Sequence, residues 1–302
     1  MSCSLRVVGL LILTTVVAAA GGAPTQPQTR EQAEAIVATL KQQTGTIPLH
    51  DGLATLRVPE TMRFLDSQDT ATVLVKLWGN PAQSVPLGML VPANCDLLTD
   101  CWAVIITWEE DGYIKDDEAG KLDYGELLTQ MKKDTQSANK ERQKQGYPPV
   151  ELVGWATTPR YDRDSHKLYW AKDLKFEGET QNTLNYNIRM LGRRGVLVLN
   201  AVAATSQLQD IETATPTLLA AVDFNDGHRY TDFTAAAGDK VASYGIGTLI
   251  AGGVAAKLGF FKGLWVLLLG AKKFVIIAVI AIGAWLRKFF GAKAAPASTA
   301  SE

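Results

Sequence analysis

The chain has 302 residues, 47% hydrophobic and 20% charged. That is enough for two domains or one large one, and the composition excludes disorder over most of its length. The formal net charge of −1 hides an asymmetry: residues 23–240 carry 22 Lys and Arg against 30 Asp and Glu, a net −8, whereas residues 241–302 carry 7 basic residues and 1 acidic, a net +6. An acidic body excludes non-specific nucleic-acid binding, which needs a basic footprint, and a basic apolar tail points to a membrane.

Residues 1–22 read as a secretory signal peptide. Arg6 supplies the positive start, Val7 to Val17 the apolar stretch, and Ala18-Ala19-Ala20 the small-residue cleavage site. An uncleaved signal anchor is the alternative. Cys3 precedes the apolar stretch, where a lipoprotein cysteine would follow it.

Residues 23–44 form an N-terminal helical segment. Thr29 and Gln32 make a capping box, and Ala33, Ile36, Val37 and Leu40 one apolar stripe. Thr46 to Val58 reads as a hairpin around Asp51-Gly52. A helix is expected after Asp66, with Val73, Leu74, Leu77 and Trp78 inward and Gly79 and Pro81 ending it. Trp102 to Trp108 is a strand, followed by a turn at Glu109 to Gly112. Asp123 and Glu126 cap a long helix whose second half, Ser137 to Gln145, is polar enough to project into solvent.

Two hairpins follow: Glu151–Tyr161 with His166–Phe176, and Thr183–Leu191 with Val196–Ala204. The last strand is apolar on both faces, which requires layers on both sides of its sheet. Ser206 to Asp223 supplies a final helix, interrupted near Thr215-Pro216. Residues 45–235 are therefore expected to be an α+β domain: a mostly antiparallel sheet covered by helices.

Val241–Phe261 and Gly263–Leu286 are two apolar runs, broken by Lys257 and by Lys272-Lys273. A central lysine costs about 2.5–3.5 kcal/mol and a strong apolar residue returns about 0.3–0.6, so insertion of the second run is marginal. Residues 241–290 are the expected membrane anchor. Arg287, Lys288 and Lys293 favour the cytoplasmic side for the polar tail, residues 291–302. With a cleaved signal the body lies outside, and one crossing is simplest; a two-crossing hairpin stays open. Gly245, Gly247, Gly252 and Gly253 lack the Lys-Ser/Thr ending of a phosphate loop and read as a helix-packing stripe.

The runs GYPPVELVGWATTPRYDRDSHKLYWAKDLKF and NTLNYNIRMLGRRGVLVLNAVA resemble a bacterial family of predicted membrane-anchored proteins, described only as a domain of unknown function, number two-one-six-seven. PLHDGLATLRVPETMRFLD, WAVIITWEEDGYIKDDEA and VASYGIGTLIAGG extend the resemblance over most of residues 45–290. It implies export and a C-terminal anchor; with the signal and the basic flank, the expected location is the bacterial inner membrane, with a periplasmic body. It implies no activity. Cys95 and Cys101 look peculiar to this sequence. The element order also resembles the fold shared by Mog1 and PsbP.

With Cys3 removed, Cys95 and Cys101 are the pair expected to form a disulfide outside the cytoplasm; two free thiols are the alternative. Asp111, Asp116 and Asp117 sit in an acidic cluster that lacks the alternate-ligand spacing of a calcium loop, so a solvated turn is favoured over a metal site. His50, His166 and His228 are scattered, and no catalytic signature or cofactor motif appears. Arg193 and Arg194 form a basic turn, either an exposed tip or a contact for a carboxylate, phosphate or lipid headgroup. Trp155 and Trp170 belong to an aromatic concentration that is either core or the lining of a ligand groove. The expectation is a non-catalytic envelope module that binds a protein or lipid partner at the membrane. An envelope-acting enzyme near the acidic cluster and a permeability role for the tail are the alternatives.

Overall fold

The computed structural model describes residues 27–80, 85–99 and 101–252. The expected signal peptide, most of the expected anchor and the tail lie outside the described residues. Among the described residues no helix is long and apolar enough to cross a membrane.

A short helix α1 (Arg30–Val37), capped by Thr29, leads into the hairpin β1 (Gly45–Leu49) and β2 (Ala54–Val58). The four-residue turn between them places His50, Asp51 and Gly52 in the left-handed region, at φ of 46°, 53° and 83°, with glycine where that conformation is least costly. β3 (Met62–Asp66) runs into α2 (Ser67–Thr72), capped by Asp66 and extended by a π-helical turn over Val73–Leu77. β4 (Gly88–Pro92), β5 (Ala103–Glu109) and α3 (Tyr124–Lys144) follow. Next come β6 (Val150–Asp162), β7 (Lys167–Phe176), β8 (Thr183–Leu191) and β9 (Val196–Ala204), then α4 (Leu208–Ala221), β10 (Val222–Phe224) and α5 (Ile246–Ala251).

The strands build two antiparallel sheets. Seven strands run in the order β3-β4-β5-β9-β8-β7-β6, and three in the order β1-β2-β10. Pro48 sits in β1, an edge strand, where its missing N–H leaves no ladder bond unmade. The small sheet and α4 pack on one face of the large sheet, burying Leu49, Leu56, Ile211, Leu218 and Val222 against Phe64, Ile106, Ile188 and Leu199. The other face carries two separate apolar clusters. One lies under α1 and α2 at β3–β4–β5 and includes Ala33, Val73, Met89 and Ile105. The other lies under α3 and α5 at β6–β7 and includes Met131, Leu152, Trp170 and Ile250.

Three expectations change. The second half of α3 does not project into solvent: Asn139 exchanges hydrogen bonds with the Val150 backbone at 2.8 and 2.9 Å, and Arg142 donates to the Pro148 carbonyl. Its polar side chains satisfy the backbone entering β6. Pro216 does not divide the final helix; α4 runs through it, and its last turn gives way to β10 at Val222. Lastly, the body does not end near residue 235. Ile246, Leu249 and Ile250 are at most 2% exposed and lie in the core under α3. Within the segment assigned to the anchor, Ile246, Leu249 and Ile250 are therefore core residues of the body, which runs to residue 252.

Candidate functional site

The acidic segment after β5 holds the chain that leads to α5. Asp111 accepts a hydrogen bond from the Tyr244 hydroxyl. Tyr113 donates its N–H to the Lys240 carbonyl and accepts from Ala242 N–H at 2.8 and 2.9 Å. Glu118 accepts from the Gly247 N–H at 2.9 Å, and Asp116 from the Tyr161 hydroxyl at 2.9 Å. Asp117 is exposed. Among the described residues no group of His, Cys, Asp and Glu is placed to hold a metal ion.

Arg193 is not at a free tip. Its Nε donates to Asp239 at 2.6 Å and its Nη1 to the Gly227 carbonyl at 3.1 Å. The Arg193 guanidinium holds the Asp239 carboxyl below the usual carboxylate range. Arg194 is exposed, and its carbonyl accepts from Gly112 N–H. Trp155 donates its indole N–H to the Tyr124 carbonyl at 3.1 Å. Cys95 and Cys101 are joined, with Cα atoms 5.8 Å apart, at the edge of the cluster under α1.

Trp170 is different. It is 1% exposed, and its indole N–H meets no acceptor. Strand register shows what surrounds it. Lys172 on β7 stands opposite Asn185 on β8; Trp170 opposite Asn187, which stands opposite Asn200 on β9; Leu168 opposite Arg189, which stands opposite Val198. All these side chains share the face that carries the two apolar clusters, because residues two apart on a strand point the same way. A polar strip thus crosses the sheet between those clusters.

Asn187 donates through Nδ2 to the Asn185 carbonyl at 3.0 Å and to its Oδ1 at 2.7 Å. Beyond that the strip is poor in partners: Trp170 Nε1, Asn185 Nδ2, Arg189 Nε and Nη1, and Asn200 Oδ1 are buried without one among the described residues. The Arg189 guanidinium lies 5.3 Å from the centre of the Trp170 ring, a cation–π arrangement. Burial pushes the Lys172 ammonium down to about 8, and nearby Arg189 adds to the shift. Burial also lowers Arg189, against the pull of Glu109 and Tyr244.

Asn185, Asn187, Arg189 and Asn200 were missed in the sequence. One signal was present: Asn200 is a polar residue inside a strand otherwise apolar on both faces.

A second feature lies at the tip of the β6–β7 hairpin. His166 adopts φ 51°, a conformation costly for a residue other than glycine. Its Nδ1 is 3.2 Å from the Tyr161 hydroxyl, whose proton goes to Asp116. The phenol oxygen then accepts from Nδ1–H, which leaves Nε2 as the basic nitrogen of the neutral ring. His166 packs tilted against Tyr230 at 4.2 Å, Tyr230 stacks on Tyr113 at 4.4 Å, and Tyr113 on Phe233 at 4.0 Å. A cavity of about 890 Å³ adjoins His166, lined also by Arg57, Asp164, Ser165, Asp223 and Arg229.

Architecture and strip define a mixed α+β protein with antiparallel sheets and a polar seam between two apolar clusters. The chain belongs to the family described as a protein of unknown function, DUF2167, which it matches over residues 41–283. No curated protein matches its sequence. Among solved structures it is similar to cyanobacterial PsbP (CyanoP) from Synechocystis sp. PCC 6803, at 10% identity and TM-score 0.34, covering 62% of this chain and 94% of that one. It is also similar to the Saccharomyces cerevisiae Ran-binding protein Mog1p, at 10% identity and TM-score 0.33, covering 65% of this chain and 100% of that one. At this level neither likeness bears on what the chain does.

Proposed function

We propose that the chain is a non-catalytic binding module of the bacterial cell envelope, held at the membrane by the apolar segment beyond residue 252, with its body outside the cytoplasm. The strip across the large sheet is its binding site. One observation carries this: buried donors on Trp170, Asn185 and Arg189 have no acceptor among the described residues. A buried polar group without a partner costs about 1–3 kcal/mol, so a sheet that places several together is suited to receive acceptors from outside. The tether reading is supported by the basic flank Arg287-Lys288 after an apolar run and by the cleavable-type N-terminus.

The full chain, purified from its own membranes in neutral detergent, is expected to carry a bound molecule detectable by mass spectrometry. The Asn185→Leu and Asn200→Leu variants are expected to fold and to lose it. Equal retention by both variants would overturn the strip as the site. A phosphatase that works only outside the cytoplasm, fused after residue 252, is expected to be active, and fused after residue 295, inactive; activity at both junctions would overturn the single crossing.

A second reading has its own observation. The Asp116–Tyr161–His166 chain orients an imidazole with a basic Nε2 beside a cavity, an arrangement suited to a general base. Turnover of an envelope substrate that is lost in His166→Gln and unaffected by Asn200→Leu would favour it.

A further inference from the structure

We propose that the strip binds an oxyanion, a carboxylate or phosphate group, carried on an apolar stem. The inference rests on the binding reading above and names the chemistry of what is bound.

The polar groups of the strip are unequal in kind. Four donor nitrogens are buried without a partner, on Trp170, Asn185 and Arg189, against one acceptor oxygen, on Asn200. Lys172 adds an ammonium on the same face, opposite Asn185. Donors in excess call for a ligand rich in acceptors.

Charge agrees. Among the described residues neither Lys172 nor Arg189 makes an ion pair. Glu109 lies on the same face, one row beyond Arg189, and acts on it only at a distance. Two cations drawn partly out of water with no ion-pair partner among the described residues are unfavourable unless an anion joins them. The cation–π contact lays Arg189 over Trp170, toward the row that holds Lys172, so both cations serve one stretch of the strip.

The stem follows from the flanks. Leu168 and Val198 border the strip at the Arg189 row, and Ile105 and Val202 at the other side; all four are buried. Access follows from burial: Asn185 and Trp170 are at most 2% exposed and form the floor, whereas Lys172 and Arg189 are only half-buried as residues, with Nε and Nη1 of Arg189 turned inward. An anionic group can therefore meet the cations first and the amide and indole donors beneath them.

The test uses the full chain in neutral detergent, with butyrate, inorganic phosphate, n-butanol and butyltrimethylammonium as probes, read by calorimetry and melting temperature. Butyrate or phosphate is expected to bind at least ~10-fold tighter than butanol, and the cation not at all. Arg189→Met and Lys172→Met are each expected to weaken the anion by ~10-fold or more while melting at or above the wild-type temperature. Butyrate above phosphate would assign a carboxylate, and the reverse a phosphate. If butanol binds as tightly as butyrate and the Met variants bind unchanged, the oxyanion is overturned while the strip stands as an apolar ligand site. If no anion binds and the co-purified molecule is retained by Asn185→Leu and Asn200→Leu, both the oxyanion and the site fall.

Discussion

The two faces of the seven-stranded sheet are built from the same strands to opposite ends. On one face Leu184, Tyr186, Ile188 and Leu199 meet the small sheet and α4 in a continuous apolar core. On the other, their immediate neighbours Asn185, Asn187, Arg189 and Asn200 separate two apolar clusters and leave donors unpaired. A strand alternates its side chains, so one stretch of sequence writes both faces at once. The closed face supplies the stability that lets the open face hold groups unfavourable to folding.

Neighbours on β9 break or sharpen this contrast most directly. Leu199 is fully buried on the closed face. Leu199→Ala is expected to cost about 2–5 kcal/mol in denaturant unfolding, through lost transfer energy and a cavity. A loss under 1 kcal/mol would mean that the closed face does not carry the fold.

Next in size is α5, which tests where the body ends. Ile250 is fully buried under α3. Ile250→Ala is expected to destabilise the body by about 2–4 kcal/mol. An anchor residue outside the core would leave the unfolding of the body unchanged.

Asn200→Leu, one residue from Leu199, should act in the opposite sense. Its unpartnered buried oxygen is replaced by a methyl group of similar reach, and a gain of about 1 kcal/mol is expected. A loss of that size would show that Asn200 is satisfied in the folded protein, by a water or otherwise, and that the strip is structural.

These residues also show what the sequence makes legible. The central hairpins are readable because Asp51-Gly52, Asp162 to Ser165 and Gly192 to Gly195 punctuate alternating strands. The layers on both faces of β9 follow from its unbroken apolar run, VLVLNAVAA. β3, β4 and β10 are harder, being five, five and three residues long with no paired turn signal of their own. α5 is misassigned because an apolar, glycine-rich run suits a protein core and a lipid core equally well; only the partners Asp111, Tyr113 and Glu118, more than a hundred residues away in sequence, decide between them. The strip hides for a related reason. Asn185, Asn187 and Arg189 alternate with apolar residues as a solvent-facing edge of a strand would. Their burial is a tertiary fact, set by helices that flank the strip.

The last expected effect is in pH dependence, and it separates stability from binding. Lys172 titrates near 8 in the folded chain, against an ordinary 10.5, because burial disfavours its charged form and Arg189 repels it. Across the strip it faces Arg189 and Asn185 on β8, and across the hairpin the uncharged Trp155 on β6. From about pH 8 to 10 the unfolded chain holds a proton that folded Lys172 has released, so stability rises with pH over that window. Tyr161, Tyr230 and Tyr244, all raised by burial, act oppositely but only once an unfolded tyrosine ionises near 10. Subtracting the profile of Lys172→Met isolates the lysine, and the difference should slope upward from pH 8. Oxyanion affinity should move the other way over the same window, because the neutral amine no longer attracts the ligand. Stability and affinity that rise together above pH 8 would show that Lys172 does not meet the bound anion.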